Sequence, residues 1–199
     1  MGSNLFENYA ALSSLSIRNG YLWTVITYAF LHHGCLHLLT NGFALYFAGH
    51  TVEQYAGPYH FLGIFILSSL FGGCLWLCIG WSVTGVLVGA SAGVMGLLGY
   101  SCMAFPHQQI AVLLFFFVPV RLQLRTLLLL LFTFESAGFL FYEIPGASFI
   151  AHSAHLGGLI TGVLYFLIQH QGPQWRDHWY KYFHHSHGRR YRIHFSDKK

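Results

Sequence analysis

Of the 199 residues, 55% are hydrophobic and 8% charged, about a third of the charged share usual in a soluble domain. That composition excludes a water-soluble globular protein and places the chain in a lipid bilayer. The formal net charge of +4 does not indicate nucleic acid: apart from Arg18, Arg121 and Arg125, the basic residues all follow Trp175, directly behind an apolar stretch. A cytoplasmic anchor facing anionic lipid accounts for them there.

Residues 1–34 form an N-terminal segment and loop, with no basic start followed by an apolar run, so no cleavable signal is expected. A membrane span needs about 20 mostly apolar residues. Stretches at 35–52, 60–81, 85–105, 122–142 and 148–169 meet or approach that requirement. The expected fold is therefore an all-α, polytopic helix bundle of about five spans. Residues 35–170 would be its transmembrane core and 171–199 a basic, aromatic cytoplasmic tail.

Arg121 and Arg125, at the start of the fourth span, and the tail behind the fifth should both be cytoplasmic. Linkers 53–59 and 106–121 then fall inside, and residues 1–34, 82–84 and 143–147 outside. The 106–121 linker is itself apolar from Ala111 to Val118 and reads as a buried or interfacial segment. In the tail, Trp175, Trp179, Tyr180 and Tyr182 alternate with Arg176, Lys181, Arg189 and Arg190, a mixture that interfacial anchoring explains. His184, His185 and His187 are assigned to that lipid-facing tail rather than to a metal. Cys35, Cys74, Cys78 and Cys102 have no zinc or redox spacing and read as small packing residues.

Three polar groups sit near the outer ends of spans, where polar side chains usually face a cavity or a partner. Ser91 lies in Gly89-Ala90-Ser91-Ala92-Gly93, about 9 Å below the start of the third span at ~1.5 Å per residue. The string alone is ambiguous. A nucleophile elbow needs a strand-to-helix turn that a membrane bundle is not expected to supply, and Gly89, Gly93, Gly96 and Gly99 equally make a close helix-packing face.

His155, in Ala151-His152-Ser153-Ala154-His155-Leu156-Gly157-Gly158, falls within one helical turn of the same depth. Gly158 and Gly162 beyond it form a Gly-x-x-x-Gly face that would pack the fifth span on the third and bring imidazole to hydroxyl. At the start of the first span, His37 and Asn41 share a face at i, i+4. They could donate to a developing oxyanion or simply hydrogen-bond between helices.

His33 and His37 have metal spacing, but the chain has no His-Glu-x-x-His, and both aspartates, Asp177 and Asp197, lie in the tail. Zinc and aspartyl protease chemistry are thereby set aside, leaving serine chemistry. No carboxylate is expected to orient His155. Glu53 is at the inner end of the first span and Glu135 in the middle of the fourth, while Glu7 and Glu143, both on the outer side, are the carboxylates that could approach. The centre is read as a dyad.

With these residues in view, the chain resembles the rhomboid intramembrane serine proteases over about residues 20–170. The resemblance rests on Gly89-Ala90-Ser91-Ala92-Gly93, on Ala154-His155-Leu156-Gly157-Gly158 with Gly162 beyond, and on His37-x-x-x-Asn41, in the family's order and spacing. It implies Ser91 as nucleophile, His155 as general base and then acid, and an oxyanion site made by the Ser91 backbone N–H with His37 and Asn41. It implies no cofactor and no metal. Its partners would be membrane lipid and transmembrane proteins, the latter unwound near their outer ends and cut close to small residues.

Gly49 to Gly57 resembles the family's structural Gly-x-x-x-Glu segment, with Glu53 as its carboxylate, and His32 matches a histidine that steadies the outer loop. The chain departs from the family in showing five spans against six, Trp23-Thr24 where Trp-Arg is common, and Met95 where some bacterial members have a tyrosine packed on the histidine. Two other functions remain compatible with such a bundle: a non-catalytic rhomboid relative that binds membrane-protein clients, and a small transporter. The scarcity of intramembrane charge argues against the transporter.

Overall fold

The computed structural model describes residues 9–79, 85–114, 118–143 and 150–171. Glu7, the loop 82–84, residues 144–147 with Pro145, and the tail from residue 172, including His184, His185 and His187, lie outside the described residues. The chain divides into two compact units, Met1–Phe166 and Leu167–Lys199.

The first unit opens with short elements: α1 (Ser14–Arg18), α2 (Thr24–Thr27) and a 3-10 turn, Tyr28–Phe30. Ser13 caps α1 through a reciprocal bond with Ser16, satisfying two otherwise orphaned donors. Thr24, where the resemblance leads one to expect arginine, is fully buried. Its hydroxyl donates to the Tyr21 carbonyl at 2.7 Å and meets Ser16 Oγ at 3.4 Å, so a small hydroxyl tethers this loop from within.

Five longer helices follow: α3 (Cys35–Ala56), α4 (Pro58–Ile79), α5 (Ser91–Ala104), α6 (Leu124–Gly138, continued by a π turn over Phe139–Glu143) and α7 (His152–Gln169). They correspond in order to the five predicted spans. The stretches Pro58–Ile79 and Leu124–Glu143 are by themselves long and apolar enough to cross a bilayer. Between α3 and α4 only Gly57 intervenes, with φ +95° and its N–H on the Glu53 carbonyl at 2.9 Å. A left-handed glycine ends one helix, and proline, which needs no N–H partner at a first position, starts the next.

The Glu53 side chain is exposed, so within the Gly-x-x-x-Glu segment the packing falls on Gly49, where a β-carbon would come 2.8 Å from the Phe61 ring.

The linker takes a form that the sequence left open, and one expectation is corrected. The apolar linker at 106–121 forms an antiparallel hairpin, β1 (Gln109–Leu114) with β2 (Val118–Gln123), paired from Gln109↔Gln123 to Leu114↔Val118. An isolated apolar run does not distinguish strand from buried helix. The third span does not begin at residue 85, and Ser91 is not buried about two turns down a helix. Leu87 is held in a two-way backbone bridge to Leu12 (N–H to O 2.8 and 3.2 Å), Gly89 donates to the Tyr28 carbonyl at 3.0 Å, and the helix starts at Ser91 itself.

Close helix approach is secured by missing side chains. A β-carbon on Gly158 would land on the Ala92 carbonyl oxygen, and one on Gly162 on that of Gly96, so α5 and α7 touch backbone to backbone. Gly93 admits the Phe65 ring and Ser69 of α4, and Gly72 of α4 lies under the Ala154 carbonyl of α7. Leu12, Tyr28, Leu87, Ala92 and Ala154 form one buried apolar cluster, joining the N-terminal segment to the starts of α5 and α7. Tyr28 completes the joint by donating its hydroxyl to the Ser69 carbonyl at 2.7 Å.

Candidate active site

Three local features set Ser91. The segment before it is extended and pinned to Leu12 and Tyr28. Gly89 has φ +122°, a conformation that L side chains rarely adopt. Ala90 then turns the chain into α5 without any side-chain cap. The result is an extended-to-helix turn of the kind the sequence reading had excluded. The first N–H groups of a helix have no intrahelical partner, so the Ser91 amide at the head of α5 is a donor aimed out of the helix, beside its own hydroxyl.

His155 reaches this point from the first turn of α7. Its Nε2 lies 2.8 Å from Ser91 Oγ, and the imidazole is largely buried. Its other nitrogen, Nδ1, lies 3.1 Å from Glu135 Oε1 on α6, while His152 Nδ1 lies 2.6 Å from Glu135 Oε2. The reading that left His155 without a carboxylate is therefore corrected. Glu135 is 2% exposed while its neighbour Phe134 is 61% exposed: α6 turns its apolar side outward and its one carboxylate inward.

A buried carboxylate is tolerated when it is hydrogen-bonded and faces counter-groups, and two imidazoles supply both. Glu143, by contrast, accepts from the Ser153 N–H and hydroxyl, both at 2.6 Å, capping the start of α7 away from His155.

His37 approaches from α3. A β-carbon on Gly89 would come 2.9 Å from His37 Nε2 and 3.8 Å from Ser91 Oγ, so the missing side chain of Gly89 is what lets the imidazole stand next to the serine. His37 Nδ1 accepts the His33 backbone N–H at 3.3 Å, which assigns the proton of the neutral ring to Nε2, the nitrogen on the serine side. Asn41 is buried and donates one amide N–H to the His37 carbonyl at 2.9 Å. That bond fixes the turn carrying His37 and leaves the amide its second N–H.

His32 packs edge-on against the His37 ring, centroids 5.1 Å apart. Burial holds its imidazole below the ordinary 6.5, against the opposing pull of a hydrogen bond to the Phe30 main chain. Met95, one turn beyond Ser91, is half-buried on α5.

Glu135, His152 and His155 also form a group whose metal-ligating atoms lie within 4.8 Å of one another. Both imidazole Nδ1 atoms already face separate carboxylate oxygens at hydrogen-bond distance, so proton sharing accounts for the arrangement. Glu135 and His152 are the site residues the sequence reading missed. The signal was present as the only acidic residue within an apolar span and a His-x-x-His pair on the facing one.

Comparison with known proteins gives the same family as the motifs. The family model for the Rhomboid domain matches residues 19–172. The chain is 30% identical over 161 residues to "Rhomboid-related protein 1" of Caenorhabditis elegans, covering 76% of this chain and 43% of that protein. It is 32% identical over 146 residues to "Rhomboid protein 1, mitochondrial" of Saccharomyces cerevisiae, covering 71% and 40%. It is 29% identical over 143 residues to "Rhomboid protease GlpG" of Yersinia pestis, covering 72% and 46%. The chain thus spans less than half the length of each of these relatives, one of them bacterial and one mitochondrial. On the match over residues 19–172, the chain belongs to the rhomboid family of integral membrane proteins.

Proposed function

We propose that this chain is a serine-type intramembrane endopeptidase that cleaves transmembrane segments of other membrane proteins. The observation that carries the reading is the 2.8 Å contact between Ser91 Oγ and His155 Nε2, beside the open N–H groups at the head of α5. Ser91 donates its proton to His155 Nε2 as its oxygen attacks the scissile carbonyl, and His155 returns the proton to the leaving amine. The developing oxyanion is received by the Ser91 backbone N–H, His37 Nε2–H and the remaining Asn41 N–H, one such donor being worth about 3–4 kcal/mol. None of these steps calls for a cofactor.

The polar ends of α3, α5 and α7 lie opposite Arg121 and Arg125, so the positive-inside rule puts the serine on the outer side and the tail in the cytoplasm. In a bacterial inner membrane, the setting we favour, that side is the periplasm.

The test is incubation of the purified protein with a fluorophosphonate probe and a transmembrane reporter. Wild type should label and cleave, and Ser91→Ala should do neither. Equal labelling and cleavage by the two would end the serine-protease reading. Reporter binding without cleavage by wild type would favour the client-binding relative.

A second expectation concerns Gly89. In Gly89→Ala the new methyl would occupy the space held by the His37 ring and would strain a left-handed backbone. Steady-state cleavage should show kcat reduced roughly 10²–10³-fold, the cost of one oxyanion donor. His37→Ala should be no worse, because both changes remove the same donor.

A further inference from the structure

We infer that Glu135, held in place by His152, is the positioning carboxylate of the Ser91–His155 pair, an inference that rests on the serine-protease reading above. A neutral histidine carries one ring proton, and it can act as base toward Ser91 only if that proton is on Nδ1, leaving the Nε2 lone pair free. An ionised carboxylate accepts and cannot donate. Glu135 Oε1, 3.1 Å from His155 Nδ1, therefore selects the tautomer whose Nε2 receives the Ser91 hydroxyl at 2.8 Å. When Nε2 takes the serine proton, Nδ1 keeps its own, and the imidazolium faces a fixed negative charge.

The carboxylate is itself built in. Glu135-x-x-Gly138 on α6 meets His152-x-x-His155 on α7, each pair on one helical face. The His152 ring lies over Gly138, where any side chain would strike it, and its Nδ1–H holds Glu135 Oε2 at 2.6 Å. With one oxygen anchored by His152, the other is presented to His155. Among the described residues, the groups facing His155 are thus Ser91 from α5, Glu135 from α6, His37 from α3 and His152 from its own helix; Glu135 is the one carboxylate among them.

A purely structural clamp between α6 and α7 would use the same contacts, so the test must read catalysis apart from folding. For the full chain in detergent, kcat, KM and the thermal midpoint are measured with a transmembrane reporter for wild type, Glu135→Gln, His152→Ala and Ser91→Ala. In Glu135→Gln the amide can donate to Nδ1 and so favour the wrong tautomer. We expect kcat to fall roughly 10²–10⁴-fold with KM changed less than about threefold, as when the orienting carboxylate of a hydrolytic triad is lost. His152→Ala should show the same split with a smaller fall.

A kcat for Glu135→Gln within about twofold of wild type would overturn the inference. Should that variant not fold, nitrogen-15 histidine spectra of the wild type decide, with the His155 signal identified by its loss in His155→Asn. A proton on Nδ1 supports the assignment and a proton on Nε2 overturns it. The two readings fail differently: an inactive wild type ends both, whereas active wild type beside equally active Glu135→Gln ends only this one.

Discussion

His155→Asn should reduce kcat for reporter cleavage by about 10⁴–10⁶-fold, the range reached when the base of a serine hydrolase is removed. The reason lies in the 2.8 Å contact to Ser91 Oγ: without an acceptor at that point the hydroxyl keeps its proton and remains a weak nucleophile. The fold should survive, because position 155 lies in the first turn of α7 and asparagine is tolerated near a helix start. It should nonetheless lose some stability, since Glu135 is left with one imidazole instead of two, and an under-bonded buried acceptor costs about 1–3 kcal/mol. The double variant Ser91→Ala/His155→Asn should be no slower than either single one, because the two groups act as a unit. Steady-state kinetics alongside thermal unfolding in detergent checks both statements, and additive losses would show that the two residues act separately.

Gly162→Leu should prevent stable folding. A β-carbon there would already fall on the Gly96 carbonyl oxygen, and that oxygen belongs to the backbone of α5, which cannot rotate away as a side chain could. Overpacking of a flexible core costs typically 1–3 kcal/mol. Against a rigid helix backbone we expect roughly 4 kcal/mol or more, within reach of the whole 5–15 kcal/mol that holds a domain together. The same separation of α5 and α7 would withdraw His155 from Ser91, so fluorophosphonate labelling should vanish with the thermal transition. Gly42→Ala is the matched control: nothing lies within 4 Å of its added β-carbon, and alanine in a helix interior should stabilise by roughly 0.5–1 kcal/mol. Similar midpoints for the two variants would remove the packing argument.

The helical bundle was legible in the sequence because apolar length is a property of each segment alone, and α3, α4, α6 and α7 follow the runs of Leu, Phe, Ile and Gly that encode them. The start of α5 was not legible. Residues 85–90 are apolar enough to continue the helix, and what prevents it is a backbone bridge from Leu87 to Leu12 and a left-handed Gly89, both visible only in three dimensions. The hairpin at 109–123 was hidden for a related reason, since an apolar run carries no period from which to choose strand over helix.

The carboxylate was not legible because the position of Glu135 along the fourth span gives its depth but not the neighbour it faces. Glu135 sits on the face of α6 carrying Gly138, and that face is the one His152 and His155 occupy.

The bridge between Leu87 and Leu12 also decides how variation in the chain should be interpreted. The backbone angles that deliver Ser91 are set by hydrogen bonds to Leu12 and Tyr28, whose side chains fill the cluster beneath Ala92 and Ala154. Nothing in the local string from Gly89 to Gly93 holds those angles unaided. A change at residue 12 or 28 therefore alters the serine's own geometry, although it lies far away in sequence and touches no reacting atom. In a catalogue of natural variants such positions would look like remote loop residues, yet physically they form the floor on which the nucleophile stands.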